Sequence, residues 1–264
     1  MLFANRESYD AIISLGGNCA VCNQLRHRGK RLYSLPLDWT LMTDTRPLEY
    51  LPTGIKTRFR DLCLEENLSE YEPPTNEHGK TTLHVIDSAT GFRFIHHFHG
   101  ALTDSSEYER VHNVHIRRIN RMYRTIESAK HVLFILETEF SYDITLAERI
   151  REAIAETFPS VEVELYVMQF SAERCSEEVL HDGLMRVSTF ERPINSVYDN
   201  QFTGHEWCWM DRLRVGNAPL PEERRQQGRL FRIIYKCWFS IGKWLERHGA
   251  GCACMRFRDF GKYA

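Results

Sequence analysis

The stretch YDAIISLGGNCAVCNQLRHRG, residues 9–29, decides how this chain is read. Its apolar run stops abruptly at two glycines, the pattern of a buried strand entering a tight turn. Asn18 then serves as a helix N-cap, and the residues that follow form a helix ending at Gly29. Cys19 falls in the first turn of that helix. Unpaired N–H groups and the helix dipole favour negative charge there, so the sequence predicts a stabilised thiolate. The backbone from Gly17 to Ala20, with the Asn18 carboxamide, is a candidate oxyanion site. Gln24 and Arg26, further along the helix, are candidate substrate-binding groups. A buried structural cysteine, a redox pair with Cys22 and a zinc site remain open alternatives on local sequence alone.

Working outward, RLYSLPLDW is extended, held from helix by Pro36. Residues 46–70 mix short helical pieces with loop, and YEPPTNEHGK is loop. TTLHVID and FRFIHHF flank a glycine-containing turn and read as a hairpin. A long helix starts near Ser105, with Tyr108, Val111, His115, Ile119, Met122 and Ile126 forming one buried stripe. HVLFILE, TLAERIREAIAETF and VEVELYVMQF then give strand, helix and strand, a βαβ unit that favours a parallel sheet with right-handed crossover. LMRVSTFER adds a further strand. The fold expected is a three-layer α/β sandwich with a mainly parallel sheet and the cysteine at a strand-to-helix turn.

With 264 residues, 42% hydrophobic and 27% charged, the composition is that of a globular protein. The net charge of −2 carries no strong bias toward nucleic acid or membrane, and no nucleic-acid partner is expected. The charge is uneven, however: residues 216–264 hold ten Lys/Arg against four Asp/Glu. Two units are therefore expected, an α/β domain over 1–215 and a basic helical tail over 216–264. In the tail, Leu230, Ile234, Cys237, Ile241 and Leu245 share one face beside Trp238, Phe239 and Trp244. Residues 229–247 thus form an amphipathic helix that docks on the domain, on a partner, or on an anionic membrane surface. Cys252 and Cys254 are positioned for reversible acylation.

MLFANRESYD lacks the apolar core of a signal peptide, and no run reaches a membrane span's length. The eight cysteines are scattered and read as reduced thiols. The expected location is the cytoplasm, at most peripheral to the membrane's inner face. No metal and no cofactor are expected.

A thiol nucleophile needs a base. FIHHFHG concentrates His96, His97 and His99. Strand alternation predicts His97 and His99 on one face, with His96 opposite beside Phe94 and Phe98. Asp38, in LPLDWT, is either a loop-anchoring carboxylate or the orienter of a histidine.

These same residues carry a resemblance. SLGGNCAVCNQLRHRGKRLYSLPLDW resembles the opening signature of a bacterial family of unknown function named for papain-like cysteine peptidases. That signature resembles SLG-x-NC, a QLR-type helix, then a proline-to-DW segment. The likeness extends through FIHHFHG, RRINRMY, HVLFILET and the tryptophan segment near 207–209, and so covers about residues 9–215. It implies Cys19 as nucleophile and His96 as base; His97 stands where the family usually shows an acid. It also implies a papain-like α+β fold as the alternative to the sandwich. Papain-type enzymes resemble a helix-borne cysteine with an upstream oxyanion glutamine, whereas the nearby Gln24 lies downstream.

The function expected is a cysteine-dependent hydrolase or acyltransferase. Cys19 would be the nucleophile, His96 or His97 the base, and Asp38 the orienter. The substrate would be a small molecule, glycan or peptide. The alternative of a different class is a Rossmann-like domain that binds or transfers a sugar nucleotide or glycan, with Cys19 passive. A third is a membrane-peripheral scaffold without catalysis.

Overall fold

The computed structural model describes residues 8–31, 33–71, 83–140, 142–171, 176–180, 185–191, 209–211 and 213–215. The predicted tail, including the 229–247 helix and Cys252 and Cys254, lies outside the described residues.

The fold is mixed α/β. The central sheet takes β2 (Ala11–Ser14), β7 (His131–Thr138), β8 (Glu162–Ser171), β10 (Met185–Glu191) and β9 (Ser176–Leu180), in that spatial order. The first four are mutually parallel and β9 is an antiparallel edge. Register sets Ala11 opposite Val132 and Thr138 opposite Gln169. A second, antiparallel sheet joins β3 (Thr40–Leu41), β6 (Arg93–Phe94), β5 (His84–Asp87) and β4 (Leu68–Tyr71). A short parallel pair links β1 (Ser8–Tyr9) to β11 (Arg214–Val215).

Both faces of the central sheet are apolar, as parallel strands require. Ile13, Val132, Phe134, Leu136, Leu165 and Val167 face one core. It is shared with α2 (Arg46–Lys56), α3 (Ser105–Glu127) and α4 (Ile144–Thr157). Ile12, Leu133, Ile135, Tyr166 and Met168 face the other, shared with α1 (Ala20–His27) and Trp209. The period-2 alternation of side chains distributes consecutive residues between the two cores.

The hairpin, the long helix and the strand–helix–strand unit all occur where the sequence predicts them. On α3, Val111, His115, Ile119, Met122 and Ile126 are buried and Tyr108 is half-buried. Asp104 caps this helix through the Ser106 N–H at 2.9 Å, and Asp143 caps α4 through Thr145 at 3.0 Å. Between 46 and 56 the chain forms one continuous helix rather than short pieces, with Pro47 in its first turn. The strand pattern does not persist through FIHHFHG. β6 ends at Phe94 and the chain bends, so the predicted alternation fails: His97 is buried while His96 and His99 are exposed.

The turn after β2 depends on its glycines. Gly16 and Gly17 take φ of +95° and +113°. The backbone continues to pair with β7 beyond the strand's end, Leu15 N–H donating to Ile135 O (2.8 Å) and Glu137 N–H to Gly16 O (3.3 Å). A Cβ on Gly17 would sit 2.0 Å from the Glu137 carbonyl oxygen, which is backbone and has no room to move. Gly29, at φ +65°, would meet nothing within 4 Å. In urea denaturation, Gly17→Ala is expected to cost about 3 kcal/mol, through a left-handed backbone plus a backbone clash. Gly29→Ala, with the conformational term alone, is expected to cost about 1 kcal/mol.

Candidate functional site

α1 follows β2 and packs on one face of the sheet, whereas α4 follows the adjacent β7 and packs on the other. The carboxyl ends of the strands are where ligands bind in open α/β sheets. Asn18 and Cys19 follow the carboxyl end of β2, and Asn18 meets Glu137 and Glu139 from the end of β7. Glu137 continues the Leu133–Ile135 face, so strand parity directs it toward α1.

Asn18 is buried and saturated. Its Nδ2 donates to Glu137 Oε1 (2.9 Å) and to Glu139 Oε1 (2.8 Å), and its Oδ1 accepts the Ala20 N–H (2.5 Å). Asn18 thus caps the helix from one position before the N-cap residue, which is Cys19 itself. The Asn18 carboxamide and the Ala20 N–H, both expected at an oxyanion site, are engaged with each other and with the two carboxylates. Gln24 is buried and accepts from Arg28 Nη1, and Arg26 is half-buried.

Cys19 is half-buried, whereas Cys22 and Cys63 are fully buried. The Cys22 thiol donates to the Cys19 carbonyl (3.2 Å). The expected lowering of the Cys19 pKa does not occur. Burial pushes the thiol up to about 11, and the Glu137 and Glu139 charges push the same way. The Cys19 N–H and the Asn23 side chain oppose this and lose. The physical reason is magnitude: a helix terminus offers about half a positive charge, against two whole carboxylates and partial burial. None of the groups bearing most strongly on the thiol is a histidine.

The histidines belong to other segments, His96, His97 and His99 to the chain after β6 and His115 to α3. His96 is exposed and meets the Trp39 ring edge-on, centroids 6.0 Å apart. His97 is buried, stacked on His115 with centroids 4.9 Å apart and planes inclined 27°, and Phe94 is edge-on to both. Arg118 Nη1 lies 3.3 Å from His97 Nε2. Arginine only donates, so Nε2 accepts and the His97 proton sits on Nδ1, which has no hydrogen-bond partner. Neither ring nitrogen of His115 has one. Burial lowers the His115 pKa to about 3 and holds His97 well below its ordinary range.

Asp38 takes the anchoring role. Its buried Oδ2 accepts from Arg31 Nε (2.9 Å) and Nη2 (2.7 Å) and from the Leu35 N–H (2.7 Å). Arg31 stacks on the neighbouring Trp39, 5.3 Å from its centroid.

Sequence reading missed Glu137, Glu139, Arg31 and Arg118. Signals existed for two of them: Glu137 ends an otherwise apolar strand on the α1 face, and Arg118 lies one helical turn beyond His115. Among the described residues, no group of three or more His, Cys, Asp or Glu is placed to hold a metal ion. Among them also, no helix is long and apolar enough to cross a membrane.

The class these features define is a mixed α/β protein with a half-buried cysteine at the strand-to-helix turn of a parallel sheet. More particularly, the chain belongs to the family described as "Putative papain-like cysteine peptidase (DUF1796)", whose model matches residues 10–172. It is also similar to an uncharacterized protein of Acanthamoeba polyphaga mimivirus, 28% identical over 151 residues, which cover 54% of this chain and 67% of that one. No solved structure matches.

Two outcomes follow for the titrating groups. Glu139→Gln removes a repelling charge, lowers the thiol pKa, and is expected to speed Cys19 alkylation by iodoacetamide roughly threefold at pH 8. Peptide mass mapping checks the rate. His115 has a folded pKa below its unfolded value of 6.5, so its contribution is fully present above pH 6.5 and is lost as pH falls from there toward about 3. Between pH 7 and pH 5 the native chain should therefore lose about 2 kcal/mol more unfolding free energy than His115→Phe.

Proposed function

We propose that this protein is a cysteine-dependent hydrolase or acyltransferase with Cys19 as nucleophile. The observation that carries the reading is the thiol's position. It is the accessible one of the three described cysteines, and it stands at the strand-to-helix turn that follows the carboxyl end of β2. The family description supports a thiol nucleophile. We further read the two cores on opposite sheet faces as a three-layer arrangement, and the 229–247 segment as a docking helix for a partner or an anionic membrane surface.

The structure then represents a resting form, with the thiol protonated beside two carboxylates. Activation requires substrate to relieve that charge and free Asn18 for the substrate oxygen. His96, exposed beside Trp39, is the base of choice, because His97 Nε2 is occupied by Arg118. His96 takes the thiol proton as Cys19 sulfur bonds to the carbonyl carbon. The imidazolium returns that proton to the departing amine or alkoxide, leaving a thioester. Water or an acceptor nucleophile attacks the thioester and restores the thiol. Asp38 acts through Arg31 and Leu35 to hold the Trp39 turn, a positioning role.

A second reading has a specific observation behind it. The raised thiol pKa and the saturated Asn18 fit a binding or transferase domain for a glycan or sugar nucleotide, with Cys19 passive.

An activated acyl ester separates the two. Incubating the full chain with p-nitrophenyl acetate should deposit an acyl group on Cys19, located by peptide mass mapping. Cys19→Ala should abolish turnover, and His96→Ala should slow it by about 10²- to 10⁴-fold. Acylation spread evenly over all cysteines, or turnover unchanged in Cys19→Ala, would leave the passive reading.

A further inference from the structure

Arginines converge on the turn between α1 and β3. Arg31 Nη2 donates to Ser34 Oγ (2.7 Å), and Arg121 Nη1, from α3, donates to the carbonyl of the same residue (3.3 Å). Arg118, one turn earlier on α3, points its Nη1 at His97. The aromatic rings of Trp39 and Tyr33 lie under Arg31 and Arg121, at 5.3 and 5.1 Å.

For Arg118 the compensation is insufficient. Asp38 is the one carboxylate among the groups that bear most strongly on Arg118, and Arg31, Arg117 and Arg121 are all of like charge. That carboxylate is already committed to Arg31 at 2.7 Å and to the Leu35 N–H at 2.7 Å. Arg118 has no ion pair among the described residues. Its hydrogen bond is a long one, to an imidazole that is itself neutral. A guanidinium has five N–H donors, so most of this fork lacks a protein acceptor. Burial and its like-charged neighbours lower its pKa to about 10, the reverse of what a carboxylate partner would do. A partly buried cation left unpaired is costly unless something binds it.

Behind the fork, the arrangement is built rather than adventitious. His97 and His115 are packed against each other and against Phe94, and Arg110 Nη2 donates to the His97 carbonyl (2.6 Å). This holds the imidazole that aims Arg118. Arginine suits planar, bidentate recognition of carboxylate or phosphate oxygens.

We propose that Arg118, Arg121 and Arg31 form a binding site for an anionic group of a small molecule, a phosphate or a carboxylate, at the turn carrying Asp38 and Trp39. The ligand oxygens take the open donors of Arg118, with the guanidinium charges of Arg121 and Arg31 beside it, and Asp38 keeps Arg31 in place. The site lies against α1: Arg31 and Asp38 both act on the Cys22 thiol, one turn beyond Cys19. It stands whether or not Cys19 performs chemistry.

The test is a thermal melt of the full chain titrated with sodium phosphate and, in a separate arm, sodium succinate, each against sodium chloride at matched ionic strength. A saturable rise in Tm above the chloride control is expected in at least one arm, and the arm showing the larger rise names the group. Arg118→Gln should abolish the rise, and Arg121→Gln should weaken the apparent affinity about tenfold. Arg60→Gln, at a side chain 74% exposed, should retain it, as should Cys19→Ala. Loss of acylation in Cys19→Ala with the rise intact separates this site from the catalytic reading. Should Arg118→Gln fail to fold, Arg121→Gln decides. No rise beyond chloride with either anion, or a rise unchanged in the arginine variants that fold, overturns the proposal.

Discussion

The tightest approach at any described glycine is that of the Gly17 backbone to the backbone of Glu137. Ladder pairing between β2 and β7 continues past the end of β2 and carries Gly16 and Gly17 alongside the last residues of β7. With a Cβ excluded at 2.0 Å, the chain turns there in a conformation open to glycine alone. The turn delivers Asn18 within reach of Glu137 and Glu139, and Asn18 in turn caps α1 and sets Cys19 at its first turn. Site geometry, helix start and sheet edge are therefore consequences of one backbone contact.

Two electrostatic regimes then sit on either side of α1. On the β7 side, carboxylates surround a half-buried thiol and keep it protonated. On the side of the 31–39 turn, Asp38 is the one carboxylate among the groups that bear most strongly on Arg118, and it is committed to Arg31. Between the two run the short helix and the buried Cys22. The family description speaks of a cysteine peptidase and says nothing of the arginines.

Much of the fold was legible in the sequence. The glycine-terminated apolar run, the α3 stripe and the βαβ segment are local patterns whose periodicity follows from side-chain direction, so no distant residue was needed to read them. What local pattern missed was short or bent. The two-residue strands β1, β3, β6 and β11 have no period to detect, and the bend after Phe94 broke the expected sharing of one face by His97 and His99. Cys19 was found because a turn signal and a thiol coincide in sequence. Its partners were not, since Glu137 and Glu139 lie 119 and 121 positions from Asn18.

From its own order of residues the chain determined that a strand, a glycine turn and a cysteine-bearing helix would form, and that later strands would pair in parallel. Only the tertiary structure decided the state of the groups so presented: a thiol held protonated, Asp38 given to Arg31, His97 given to Arg118. The physical reason is that protonation and ion pairing depend on burial and on charges a few ångströms away in space. Those neighbours come from separate elements, and nothing in their sequence spacing says they will meet.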